Sequence, residues 1–190
     1  MSEQKSQSLR SYTTVAVILA ELAHLAWEYF NGGIKSHHFL NRSDMPTISN
    51  WWGLLLLPAL TWFFTGAIQS RIAVRARTKE TTTTLPTGIF AAFTGSLLLG
   101  ISLSTAFINN YENVAAVIFF GLLLLALVFP VYHGEYLLGF ILGMTFTFGA
   151  ILPMFVSFVI AILSAILHLL VYPLLLRCWT WVRKTWSSNT

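Results

Sequence analysis

From Tyr136 to Arg177 the chain reads YLLGFILGMTFTFGAILPMFVSFVIAILSAILHLLVYPLLLR, with no charged side chain before its last residue. As one α-helix, rising about 1.5 Å per residue, this stretch would be about 60 Å long, twice the hydrocarbon thickness of a bilayer. Near its middle stands Phe148-Gly149-Ala150-Ile151-Leu152-Pro153, where glycine and proline both disfavour continued helix. The stretch therefore reads as two spans, 136–152 and 154–177, joined by a turn near 149–153.

Four more apolar runs precede it, at 12–30, 51–69, 87–108 and 114–132. Each is about as long as the 20 residues that a helix needs to cross a bilayer. Open sheets cannot face lipid, and the alternating pattern of a barrel strand is absent, so the spans read as helices. Hydrophobic residues make up 56% of the 190 and charged residues 9%, against about 25% charged in soluble domains. The expected fold is all-α: a polytopic integral membrane helical bundle of six transmembrane helices forming a single domain over 1–190.

The distribution of charge supports the even number. Nine of the eleven basic residues fall in three groups: Lys5 and Arg10; Arg71, Arg75, Arg77 and Lys79; and Arg177, Arg183 and Lys184. Six spans put all three groups on one side, as the positive-inside rule requires. Both termini are then cytoplasmic, and the expected location is the plasma membrane, the inner membrane of a bacterium. Five spans, with one long tilted or kinked helix at the end, is the alternative. The net charge of +4 is a topology signal on this reading and indicates no nucleic-acid partner.

Smaller signals fit this frame. Met1–Ser11 is a short polar lead, and the first run continues through Trp27-Glu28-Tyr29, so it reads as a retained span rather than a cleaved signal. Trp51 and Trp52, and Trp179, Trp181 and Trp186, stand where indoles anchor at the membrane interface. Ser49 and Asn50 offer side-chain caps to the second span. Residues 78–87 read as a polar, flexible cytoplasmic connector. Gly139-x-x-x-Gly143 allows close approach of another helix, inside the bundle or across a homo-oligomer. The lone Cys178 excludes an intramolecular disulfide.

Within the first run, Glu21, His24 and Glu28 are spaced i, i+3 and i+7, which puts them on one helical face. Ionisable groups in a membrane span are expensive and are functional candidates by default. The loop after it adds His37, His38, Asp44, Ser49 and Asn50, and Asn31-Gly32-Gly33 supplies a turn that brings the histidine pair back toward Glu28. Imidazole and carboxylate are ligands for zinc or iron, so His24, Glu28, His37 and His38 form one candidate metal set. The same residues also suit acid–base chemistry: His24 and Glu28 as acid and base, Glu21 behind them, and Asp44, Asn50, Trp51 and Trp52 against the substrate.

Structural roles stand beside these. Glu28 near a helix end can be hydrated at head-group depth, His37 and His38 can be plain loop residues, and Glu21 with His24 can form an interhelical contact. In the six-span frame His133 and Glu135 lie in a cytoplasmic turn, away from this cluster, and His168 reads as a hydrogen-bonded helix residue. No phosphate-binding glycine loop, nucleophile elbow or Cys-x-x-Cys is present. The expectation is an outward-facing polar site, on the first span and loop 31–50, that binds and transforms a small or lipid-like substrate. The alternative is a small transporter or an accessory subunit whose polar stripe packs on partner helices.

Overall fold

The computed structural model describes residues 3–38, 47–77 and 84–187. Helix α1 runs Glu3–Phe30 and is followed by a small antiparallel hairpin, β1 Ser36–His38 and β2 Thr47–Ser49. A 3-10 turn at Asn50–Trp52 leads into α2, Gly53–Arg77. Then come α3 Thr84–Ile108, α4 Glu112–Val128, α5 Gly134–Phe148 and α6 Ile151–Ile166. The last of these continues through a π-helical turn, Leu167–Val171, into α7 Tyr172–Ser187. Among the described residues the fold is thus all-helical apart from the hairpin, with six helical rods. Residues 78–83 of the polar connector lie outside the described residues, and 84–87 belong to α3.

Among the described residues three helical segments are long and apolar enough to cross a membrane: Asn50–Ala76, Thr87–Ile108 and Ile151–Trp181. The apolar helices α4 and α5 are shorter. Helix α1 has the length, but Glu21, His24 and Glu28 interrupt its apolar run. Large apolar side chains such as Phe63, Phe120, Leu124 and Leu169 are exposed on the outside, as a surface bathed in lipid requires.

The long apolar stretch is divided at Gly149, whose φ of +68° is reached at little cost only without a side chain. Its N–H still bonds to the Thr145 carbonyl, closing α5. Pro153 is no breaker here. It occupies the third position of α6, where a missing N–H forfeits no helical hydrogen bond.

Helix α5 is the centre of the bundle, with Leu137, Leu138, Phe140, Ile141 and Met144 all buried. Around it Leu57 and Phe64 of α2 and Ala161 of α6 complete one core cluster, and Leu103 of α3 joins Phe140 and Met144 in a second. Lipid is as apolar as leucine, so helix association in a membrane depends on close packing. Gly139 and Gly143 supply it: a Cβ on either would collide with a backbone carbonyl of α3, that of Phe93 or Leu97. Conversely, a Cβ on Gly100 would come within 2.8 Å of the Phe140 carbonyl. Both glycines of the Gly-x-x-x-Gly motif therefore serve α3–α5 contact inside the bundle.

The last rod covers the end of α4. A helix leaves its last four carbonyls without intrahelical donors. Ser164 Oγ reaches the carbonyls of Ala126 at 3.1 Å and Phe129 at 3.3 Å, the Tyr172 hydroxyl donates to that of Leu127, and His168 Nε2 lies 3.5 Å from that of Val128. Residues 164, 168 and 172 form one i, i+4, i+8 stripe along the rod, and together they cap the end of α4.

Candidate functional site

Helical spacing brings Glu21, His24 and Glu28 together on the face of α1 turned toward the start of α2. Glu21 is 3% exposed and Glu28 1%. His24 lies between them: Nδ1 is 3.4 Å from Glu21 Oε2, and Nε2 is 3.6 Å from Glu28 Oε1. Neither ring nitrogen has a well-aligned hydrogen bond, although both are buried. The imidazole packs against Phe146 near the end of α5, ring centres 5.0 Å apart and planes tilted by 40°, and Phe146 also touches Trp27 at 5.3 Å.

The chain leaves α1 through bonds from Asn31 N–H to the Trp27 carbonyl and from Gly33 N–H to that of Glu28. Gly32 and Gly33 take φ of +116° and +98°, values that favour glycine. The hairpin then pairs Ser36 with Ser49, His37 with Ile48 and His38 with Thr47, so the chain returns on itself. A bond from Asn50 N–H to the Lys35 carbonyl closes the return. Ser49 caps the following turn by accepting from Trp51 N–H, the role its position before the tryptophans predicts.

This return fixes Glu28. Asn50 Nδ2 donates to Glu28 Oε1 at 2.7 Å, and Lys35 N–H donates to Glu28 Oε2 at 3.2 Å. Asn50 is itself only 3% exposed. Two glycines make room: a Cβ on Gly53 would collide with the Glu21 carboxylate, and one on Gly149 with Asn50 Oδ1. The α5–α6 turn is therefore also a wall of the site. Charge is mixed, with two carboxylates around one imidazole and the Lys35 ammonium above the Trp27 ring at 5.8 Å.

The structure thus unites Glu21, His24, Glu28 and Asn50. Trp51 and Trp52 are exposed at 57% and 53%, on the surface beside the buried Asn50. His37 and His38 lie in β1, paired through their backbones with β2, and Asp44 lies outside the described residues. Among the described residues no group of three or more His, Cys, Asp or Glu side chains is arranged to hold a metal ion. The reason is visible at His24, whose two nitrogens face different carboxylates on opposite ring edges, whereas zinc ligands converge on one point at about 2.0–2.2 Å. Gly53, Phe146, Gly149 and the Lys35 N–H are members of the site that sequence reasoning missed. Only Gly53, three residues after Asn50, carried a local hint.

A second polar group lies at the other end of α5. Glu135, 4% exposed, pairs with Arg71 of α2, and Ser96 of α3 faces the Glu135 carbonyl at 3.5 Å. Glu135 and Phe146 are eleven residues apart in α5, or about 16 Å along the axis, so the two groups form separate centres. Next to Glu135, His133 Nδ1–H donates to the Pro130 carbonyl at 2.7 Å, and its ring stacks on Tyr132 at 4.5 Å. Burial, and then the Arg71 charge, hold the His133 imidazole below its usual pKa despite Glu135 and the Pro130 bond.

Compared with known proteins, the chain matches no family model, no curated protein and no solved structure.

Proposed function

We propose that the protein is a six-span membrane protein whose α1–hairpin site binds a small or lipid-like substrate and exchanges a proton with it. The observation that carries this reading is His24, buried between two carboxylates with neither nitrogen well bonded. The two carboxylates have different tasks. Glu28 has donors on both oxygens and anchors the hairpin to α1. His24 is the under-bonded member, both of its ring nitrogens being buried without a hydrogen bond, and a substrate oxygen brought to its ring edge would complete it. His24 is the group that transfers the proton, and Glu21 sets its charge and orientation.

That Glu21 and Glu28 turn inward, against Gly53 and Asn50, favours this reading over a polar stripe packed on partner helices. Metal assistance through His37 or His38 is a further form of the proposal, tested by metal analysis of the purified protein and its His24→Ala variant. The basic groups at Arg10, at Arg71 and Arg75, and at Arg177, Arg183 and Lys184 support a bacterial inner-membrane orientation with both termini cytoplasmic. A C-terminal reporter found outside the cell would remove that topology.

The functional test compares membranes from cells making the parent protein, His24→Ala, Glu21→Gln or Glu28→Gln, each inserted to the same level. A small-molecule or lipid pair whose ratio changes with the parent, and with none of the variants, supports the site. Unchanged ratios throughout, with loss of a co-purifying membrane subunit in the variants, give the role to partner assembly instead.

A further inference from the structure

The rod formed by α6, the π turn and α7 is longer than a bilayer is thick. From Ile151 to Trp181 it counts 31 residues, about 46 Å at 1.5 Å per residue, against a hydrocarbon core of about 30 Å. An average tilt of about 20° shortens that projection by only about 3 Å, and α7 runs on past Trp186 to Ser187. Packing on the bundle ends long before. Ser164 is buried, no described residue after it is, and from Tyr172 to Trp186 the described side chains are all exposed. Leu175, Trp179 and Trp186 are among them. An upright α7 would hold these large apolar groups in water, which the hydrophobic effect opposes.

Helical spacing sorts the side chains of α7 onto two sides. Leu174, Leu175, Cys178, Trp179 and Trp186 share one, and Arg177, Thr180, Arg183 and Lys184 the other. Arg183 borders the indoles, one turn after Trp179, where a long stem covers apolar surface and the guanidinium reaches outward. No acidic residue follows Glu135 in the chain, so the charge of this end is wholly positive. The rod also has a place to bend. Sharp helix kinks occur at prolines and at π turns, and here the π turn Leu167–Val171 is followed at once by Pro173, which has no N–H for the Leu169 carbonyl.

We propose that α7 folds over at this hinge and lies along the membrane surface from which it emerges, as an amphipathic helix docked on anionic phospholipid. Leu175, Trp179 and Trp186 enter the boundary between acyl chains and head groups, and Arg177, Arg183 and Lys184 meet lipid phosphates. Trp181, one turn after Arg177, then lies at head-group depth, where indoles are enriched. A second copy of the chain is the competing occupant, and charge opposes it. Two α7 helices packed through their indoles would bring like charges together with no carboxylate between them. The bilayer surface offers the apolar boundary and the negative charge at once, and α7 leaves the bundle beside it.

Cys178 is exposed on the indole side and is the only cysteine of the chain, so it takes a spin label without substitution. Cys178→Ser with Thr180→Cys turns the label to the basic side. The full-length protein is placed in phosphatidylcholine nanodiscs with and without a phosphatidylglycerol fraction, and collision of the label with oxygen, which enters lipid, is compared with collision with a water-soluble nickel chelate. With phosphatidylglycerol present, the label at 178 should meet oxygen and the label at 180 the chelate. Salt at about 1 M, which cuts the Debye length to about 3 Å, should abolish that difference. Arg177→Gln, Arg183→Gln and Lys184→Gln combined should abolish it too, and the salt arm serves if this variant fails to insert. Both labels equally open to the chelate overturn the docking. Equal protection at 178 without phosphatidylglycerol, or protection undiminished by salt or by the triple substitution, overturns the assignment to anionic lipid. Spin–spin broadening between labels at 178 overturns it in favour of a second copy.

Discussion

Replacing Asn50 with alanine removes the donor that reaches Glu28 Oε1 at 2.7 Å. Asn50 and Glu28 are 3% and 1% exposed, so water has little access to replace the bond. Glu28 then keeps the Lys35 N–H at 3.2 Å and the His24 ring at 3.6 Å. A hydrogen bond to a charged group contributes about 1.5–3 kcal/mol, whereas side-chain hydrogen bonds between membrane helices average about 0.6 kcal/mol. The size of the loss therefore reports whether Glu28 is ionised. With Glu28 as an anion, Asn50→Ala should destabilise by about 1.5–3 kcal/mol, which is about 3–12 °C in Tm for a chain of this length. Unfolding in mixed micelles, followed by circular dichroism, supplies the numbers for a double-mutant cycle with Glu28→Gln. Glutamine leaves one acceptor and turns an amide NH2 toward either Asn50 or the Lys35 N–H, so it breaks the same arrangement from the other side. A coupling energy of about 1.5 kcal/mol or more is expected. Coupling below about 0.5 kcal/mol, the scatter of non-interacting pairs, refutes the claim that this bond fastens the hairpin to α1.

Gly53→Ala should push the Glu21 carboxylate off His24 and cost about 1–3 kcal/mol as an overpacked site; an unchanged Tm shows that Glu21 has room the packing denies it. Gly143→Ala should separate α3 from α5 at a similar cost, about 1–3 kcal/mol, because the new methyl meets the Leu97 carbonyl. Gly121→Ala faces open space and should stay within about 0.5 kcal/mol in the same melts. The His133 pKa is lowered on folding, so the folded state binds fewer protons than the unfolded state over that window. Stability from this group is present above the unfolded value of about 6.5 and is lost as pH falls toward the folded pKa. His133→Asn should flatten this part of the Tm-against-pH curve, and an unchanged acid slope in the variant assigns it to other groups.

Periodicity carried most of what was legible beforehand. The i, i+3, i+7 placement of Glu21, His24 and Glu28 follows from helix geometry alone, and the structure keeps them together. The division of the long apolar stretch near Gly149 follows from length and glycine, although Pro153 turned out to open α6 rather than end α5. What sequence could not give depends on contacts far apart in the chain. Phe146 reaches His24 from more than one hundred residues away, and nothing in its own neighbourhood marks it. The hairpin at 36–38 and 47–49 escaped because three-residue strands carry almost no alternating pattern. The polar lead read as a tail is helical from Glu3, and Arg10 is held by the Trp62 carbonyl at 2.7 Å and the Trp62 ring at 4.0 Å.

The capping of α4 by Ser164, His168 and Tyr172 bears on how the protein is made. Unpaired carbonyls in hydrocarbon cost several kcal/mol each, and the groups that cover those of α4 are translated about 35–45 residues later. During synthesis α4 is therefore an unfinished helix, best kept in the wet or protein-lined surroundings of the insertion machinery until the final rod arrives. Nascent chains stopped before Ser164 should remain cross-linkable to that machinery through α4, and chains extended past Tyr172 should release it.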